Sequence, residues 1–339
     1  MSGHVPLAIL VALFLSVTTS ALIFRQQIFD YVEQVSLRSK FTLREGPESR
    51  ELNSGDTFRD CITPDVCPEM TVLPPGRFLM GARVEFPEPE PEELPPAIID
   101  IDYRLAVSTF EITQSQWRTC ETLIAIETGI TCPIRTKNTL PSDLPIDSVS
   151  WEDAQIYVNW LNVVLGLPPK KGYRLLSEAE WEYSVRGETK PDWGVRLYFW
   201  GNRTSDTCRY ANVATEKTQE QNVFVSWPVV TECEDGSVEP STVGSYIPNG
   251  FGLYDMAGNL TEWVQDCWHE NYDAPSRPKD GRAWTVDAPA NCERVLRGGS
   301  WSGQIDKLRN AARSHAPMSA SGSNIGFRVA RTISLNIEN

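Results

Sequence analysis

Apolar residues recur at helical spacing downstream of Ser150. Asp153 lies three residues after that serine, so the two side chains can form a capping box at a helix N-terminus. Gly166 is typical of a helix C-terminus, because glycine adopts the left-handed conformation found there. The apolar stripe consists of Trp151, Ala154, Tyr157 or Val158, and Leu161. This pattern predicts a helix between Ser150 and Gly166.

Two further segments carry the same capping pattern. Ser177 is followed three residues later by Glu180, and Gly187 supplies a stop signal. Thr113 is followed at the same spacing by Gln116. We therefore predict a second helix between Ser177 and Gly187, and a shorter one after Thr113.

The remaining chain contains short strand-like segments between glycine, asparagine and proline residues. Val295–Leu296 and Phe327–Val329 are examples. A few helices among many short strands are typical of an α+β fold with low regular secondary structure. The 339 residues, 41% of them hydrophobic, can build one large domain or two ordinary ones.

The N-terminal segment, residues 1–24, is apolar from residue 5 onwards except for serines and threonines. Twenty such residues just span a bilayer as a helix, whereas the small residues at 19–21 fit a secretory cleavage site. A membrane anchor and a cleaved signal peptide therefore both remain open, and both place the protein outside the cytoplasm, in the periplasm or secreted. Residues 25–60 are predicted to be a stalk or linker, and residues 61–332 the folded domain.

Eight cysteines occur as near neighbours along the chain. They are Cys61 and Cys67, Cys120 and Cys132, Cys208 and Cys233, and Cys267 and Cys292. Roughly 105 pairings are possible, and the sequence does not select one. No C-x-x-C knuckle occurs and there are only three histidines, so disulfides in an oxidising compartment are favoured over a zinc site.

The formal net charge is −14. Nucleic-acid binding needs clustered lysine and arginine that displace counterions, and no basic run of that kind is present. Nucleic acid is therefore excluded as a partner.

A series of distinctive blocks occurs in order between residues 67 and 331. They are Glu69–Gly81, Phe110–Thr113, Ser150–Ala154, Arg174–Tyr183, Asn249–Asn259, Glu262–Trp263, Arg297–Trp301 and Gly326–Arg328. Together they resemble the formylglycine-generating-enzyme, or sulfatase-modifying-factor, family, whose opening strand pair corresponds to Glu69–Gly81. The resemblance implies a single α+β domain related to C-type lectin folds, with bound calcium.

The same resemblance implies two calcium sites made of carboxylate, amide and carbonyl oxygens, the ligands that this hard cation prefers. The implied ligands are Asp255, Gly258, Leu260 and Glu262 for the first site, and Asn212, Val213, Asp235 and Ser237 for the second. Gly258 and Leu260 would contribute backbone carbonyls to the first site. Val213 and Ser237 would contribute them to the second. The alternative for the first site is that its two acids only cap turns.

Copper is not expected, although relatives in this family bind Cu(I) through two cysteines. Gly303 stands at the first of these positions, three residues after Ser300, and the second falls within Asp306–Leu308. The tryptophan that precedes the loop glutamate in the family is Thr261 here. Because Cu(I) is a soft ion that requires thiolate ligands, the copper-dependent oxidation is not expected.

These features predict an exported, calcium-binding protein with a non-catalytic binding or scaffold role. Its ligand would be an extended peptide, a glycan or an envelope protein, and the N-terminal segment would contact a membrane if it stays uncleaved. The candidate pocket residues are Thr261, Ser300, Trp301, Gly303 and His315.

The alternative is an oxidoreductase of the formylglycine-generating or non-haem iron type, acting on a protein thiol or a secreted metabolite. Such an enzyme would use Ser300, His315 and His269, with Asp266 or Asp306 as the carboxylate of an iron site.

Overall fold

The computed structural model describes residues 52–84, 89–123, 129–135, 141–168, 172–187, 196–221 and 233–333. All of these residues belong to one compact unit, which lies within Leu43–Asn339. The predicted N-terminal segment and most of the predicted stalk lie outside the described residues. Within the described ranges, no helix has the length and apolar character needed to cross a membrane.

Four α-helices are present in the described ranges: α1 Gln114–Thr122, α2 Trp151–Leu165, α3 Glu178–Arg186 and α4 Glu216–Gln221. The first three begin at the predicted capping boxes, in which Thr113, Ser150 and Ser177 accept the backbone N–H three residues ahead. Helices α2 and α3 end at the predicted glycines, both in the left-handed conformation. The three predicted helices are confirmed.

Eleven short strands occur among the described residues. They are β1 Thr57–Phe58, β2 Met70–Leu73, β3 Gly76–Met80, β4 Ala97–Ile101, β5 Arg104–Ser108, β6 Arg174–Leu175, β7 Thr261–Cys267, β8 Arg294–Arg297, β9 Ser314–Ala316, β10 Ile325–Phe327 and β11 Val329–Ile333. They form a five-stranded sheet in the order β1-β2-β5-β11-β6, a four-stranded sheet in the order β10-β7-β8-β9, and the pair β3-β4. The predicted α+β class is confirmed.

Two structural features mark the start of the folded region. Strand β1 pairs with β2 through Thr57 and Thr71, and Asp60 is fully buried, so regular structure is already present at Thr57. A two-residue strand is too short to give a period-two signal. Strands β2 and β3 do not pair with each other, because the intervening Pro74 and Pro75 have no N–H with which to continue a ladder.

The eight cysteines form four disulfides, Cys61–Cys67, Cys120–Cys132, Cys208–Cys233 and Cys267–Cys292. The preference for disulfides over a zinc site is therefore confirmed. Their connectivity, which the sequence left open, joins each cysteine to its nearest neighbour in the chain.

Candidate functional site

A cavity of about 290 Å³ lies where β7, β8 and β9 meet the turn that follows β8. Its walls include Thr261, Leu296, Gly299, Ser300, Gly303 and Ser314. Three of the five predicted pocket residues line this cavity, namely Thr261, Ser300 and Gly303. Trp301 and His315 are not among its lining residues.

The turn that forms one wall depends on two glycines with positive φ, Gly298 at 100° and Gly299 at 67°. A β-carbon on Gly299 would lie 2.8 Å from Leu308 and 3.1 Å from the carbonyl of Lys307. The turn can therefore pack closely against the 3₁₀ turn Ile305–Leu308 only because this side chain is missing.

Trp301 anchors the turn from behind. Its backbone N–H donates to the carbonyl of Asn259 at 2.9 Å, and its indole N–H donates to the carbonyl of Ser323 at 3.1 Å. The tryptophan is buried. It positions the wall of the cavity without lining it.

The two positions that the sequence resemblance assigns to copper-binding cysteines contain no sulfur. A β-carbon on Gly303 would lie 3.4 Å from the hydroxyl oxygen of Ser300, so a side chain at 303 would point towards this buried serine. The second position falls in the 3₁₀ turn, where Leu308 belongs to the hydrophobic core. All eight cysteines of the chain are in disulfides.

The two histidines of the alternative hypothesis make other contacts. His315 stacks on Trp268 with 4.2 Å between ring centroids, and its Nδ1 lies 2.5 Å from a carboxylate oxygen of Glu293. His269 stacks on Trp284 at 3.6 Å. Across the described ranges, no three His, Cys, Asp or Glu side chains are grouped so as to hold a metal. These contacts contradict the predicted iron triad, because the two histidines and a carboxylate are not grouped around a common point. The sequence could not show which aromatic side chain each histidine contacts.

The two loops with the predicted calcium ligands pack directly against each other. The N–H of Asn259 donates to the carbonyl of Asn212 at 2.9 Å, and the Asn212 amide donates back to Asn259 Oδ1 at 3.2 Å. A β-carbon on Gly258 would overlap the carbonyl oxygen of Asn212. Glycine at 258 therefore permits the close approach of the two loops.

The second predicted calcium site contains a buried oxygen without a partner. Asn212 is 1% exposed, and its Oδ1 accepts no hydrogen bond from the described residues. The carboxylate of Asp235 accepts the N–H groups of Val213 at 2.8 Å and Ser237 at 2.9 Å. Burial raises the pKa of Asp235. An orphaned amide oxygen next to a partly buried carboxylate fits a hard cation, so these residues are compatible with calcium.

The first predicted site fits calcium only in part. Asp255 is 3% exposed, and its Oδ1 has no partner among the described residues, while its Oδ2 accepts the N–H of Gly244 at 2.6 Å. Glu262 is already neutralised, because it accepts Arg328 Nε at 2.8 Å and the Trp181 indole N–H at 2.7 Å. Asp255 can therefore hold a cation, whereas Glu262 is committed to an ion pair.

Glu111 is a buried acid that the sequence reasoning did not single out. Its carboxylate accepts the N–H of Leu260 at 2.9 Å and the Asn259 amide at 2.6 Å. Burial, followed by the nearby charges of Asp255 and Glu262, raises the pKa of Glu111 well above its usual value. An acid between apolar residues in the Phe110–Thr113 block was the signal that could have revealed it.

This neighbourhood has an excess of buried negative charge. Glu111, Asp255 and Glu262 are three carboxylates, and Arg328 is the cation that acts on each of them. Burial also raises the pKa of Asp255, to about 6. Either protons or a bound cation must relieve the excess.

A family model described as the sulfatase-modifying factor enzyme 1-like domain matches residues 57–333. The formylglycine-generating enzyme of Bos taurus is 36% identical over 194 residues, which are 56% of this chain and 44% of that relative. The inactive C-alpha-formylglycine-generating enzyme 2 of Mus musculus is 31% identical over 196 residues, which are 56% of this chain and 49% of that relative. The matched segment thus spans less than half the length of these relatives.

A solved structure of PvdO from Pseudomonas aeruginosa has the same fold, with a TM-score of 0.66 and 30% sequence identity. The match covers 83% of this chain and 100% of that chain. The ordered sequence blocks, the family model and this shared fold agree with one another. The chain belongs to the sulfatase-modifying factor enzyme 1-like domain family.

Proposed function

We propose that this protein is an exported, calcium-stabilised binding protein that holds an extended peptide segment in the cavity beside Ser300. It does so without the copper-dependent oxidation of its enzymatic relatives. The observation that carries the proposal is that every cysteine is in a disulfide, while Gly303 occupies a position of the family's copper-binding thiolates. Without thiolates, a soft-metal site loses its ligands altogether.

Three further observations support this function. The cavity is open at the surface, and no cysteine belongs to its lining. One relative of similar sequence carries the description "inactive", so loss of the chemistry is compatible with this fold. Four disulfides favour an oxidising compartment, which supports export.

Calcium has a structural role in this proposal. Asn212, Val213, Asp235 and Ser237 would hold one ion, and Asp255 would contribute to another. The ion supplies positive charge next to buried oxygens that lack a partner. It thereby stabilises the two loops that pack on each other behind the cavity.

The binding function can be tested by selecting peptides from a random display library on the purified protein. We expect the selected peptides to lose binding to a Gln304→Trp variant, because Gln304 lines the cavity and an indole would fill it. They should keep binding to Lys279→Trp, which places the same side chain at an exposed position away from the cavity lining. Equal binding to both variants would place the ligand elsewhere on the protein.

The same samples test the absence of oxidation. A peptide with the cysteine motif of sulfatases, incubated with the protein, Cu(I) and oxygen, should keep its thiol when analysed by mass spectrometry. Formation of an aldehyde by this protein would overturn the proposal.

Calcium removal provides an independent prediction. At a free calcium concentration about 100 times its Kd, a bound ion stabilises the fold by about 2.7 kcal/mol. Chelation with EGTA should therefore lower the Tm by roughly 5–10 °C, as measured by calorimetry. Asp235→Asn should shrink this shift, because it removes a charged ligand.

Asp280→Asn is the matched control for that experiment. Asp280 pairs with Arg282 at the surface, where both side chains are about half or more exposed. This variant should keep the full calcium effect. If EGTA leaves the Tm of the wild-type protein unchanged, calcium has no stabilising role.

A further inference from the structure

The charged side chains that line the cavity are all basic. They are Lys307 and Arg313, and no carboxylate belongs to the lining. The whole chain, in contrast, has 45 acidic and 31 basic residues. A positive cavity in an acidic protein is therefore a local feature and not a consequence of composition.

Lys307 is available to a ligand. Its side chain is 45% exposed, and its ammonium nitrogen lies 3.7 Å from a carboxylate oxygen of Asp306, which is itself 44% exposed. An exposed pair at this distance contributes little and is readily exchanged for another anion.

Arg313 acts differently, because its guanidinium is already saturated. It donates to both oxygens of Glu178 at 2.6 and 2.9 Å, and to the carbonyls of Glu92 and His269. Glu178 also compensates its charge, so Lys307 is the cation of the cavity that remains for a ligand.

The turn itself supplies backbone donors. Within the described residues, its backbone hydrogen bonds use the N–H groups of Trp301 and Gly303 as donors. None of them uses the N–H of Gly299 or Ser300, which both line the cavity. Consecutive N–H groups around a residue with positive φ form a concave nest that favours anions.

We propose that Gly299, Ser300 and Lys307 form an anion subsite that holds a carboxylate of the bound peptide. This inference rests on the proposed peptide-binding function and specifies its ligand. The carboxylate comes either from an aspartate or glutamate side chain or from the C-terminus of the peptide. Both sources present the same planar anion to the two N–H groups and the ammonium group.

NMR titration of the full protein with small probes tests the subsite. N-acetyl-glutamate N-methylamide carries a side-chain carboxylate, N-acetyl-alanine carries a terminal carboxylate, and N-acetyl-glutamine N-methylamide is the neutral control. We expect at least one acid to shift the amide resonances of Gly299 and Ser300 in a saturable manner, while the neutral probe does not. The acid that binds more tightly identifies the source.

Charge variants provide the second measurement. Lys307→Gln should weaken the binding of the acid about fivefold, because it removes a charged donor. Lys307→Arg should retain binding, and Lys279→Gln, which removes an exposed lysine outside the lining, should leave it unchanged.

Three outcomes would overturn the subsite: no saturable shift with either acid, the same shift with the neutral probe, or no effect of Lys307→Gln. If display-selected peptides still bind in the cavity in such a case, the subsite fails while the peptide-binding function stands. If peptide selection also fails, both are wrong.

Discussion

Replacement of Arg328 by methionine is expected to destabilise the protein by about 3–5 kcal/mol, because it leaves buried carboxylates without their cation. Arg328 is 1% exposed, and its Nε contacts both oxygens of Glu262 at 2.8 and 2.9 Å. It also donates to the carbonyls of Ser108 and Tyr254. Methionine keeps much of the volume and removes the charge and all these donors.

Urea unfolding followed by tryptophan fluorescence would measure this loss. Arg282→Met is the matched control, because Arg282 forms a surface ion pair and is 79% exposed, so its loss should cost less than about 1 kcal/mol. If Arg328→Met does not fold, the double variant with Glu262→Gln should restore soluble protein, because it removes one of the stranded charges. Equal stability of Arg328→Met and the wild type would show that Arg328 does not neutralise the acids.

Replacement of Gly258 by alanine is the second prediction with a large effect. Gly258 has a φ of 78°, and its β-carbon would overlap the carbonyl of Asn212, so both strain and a backbone clash oppose the substitution. We expect a loss of more than about 3 kcal/mol, since the left-handed conformation alone costs roughly 1–2 kcal/mol. The two loops that carry the proposed calcium ligands would have to separate.

Gly252→Ala separates these two causes. Gly252 has a nearly identical φ of 80°, but its β-carbon would meet no atom within 4 Å. This variant should lose only the 1–2 kcal/mol of conformational strain. If both variants unfold at the same urea concentration, the close approach of the loops contributes nothing to stability. A reduced calcium effect on the Tm of Gly258→Ala alone would link the approach to the ion site.

The sequence by itself determined the elements whose signals are local. The capping boxes at Thr113, Ser150 and Ser177 and the terminal glycines of α2 and α3 placed three helices correctly, because a cap and its partner lie within one helical turn. The ordered blocks identified the family. Cysteine count and spacing indicated disulfides, although not their pairing.

The tertiary structure alone decided which distant groups meet. It placed β2 and β3 in different sheets and paired Glu262 with Arg328, 66 residues later in the chain. It also showed that His315 does not line the cavity and that it stacks on Trp268. Strand pairing and buried ion pairs join segments that are far apart in sequence, so no local pattern encodes them. No local pattern encodes the charge of the cavity either, because that charge depends on which side chains of separate elements line a common surface.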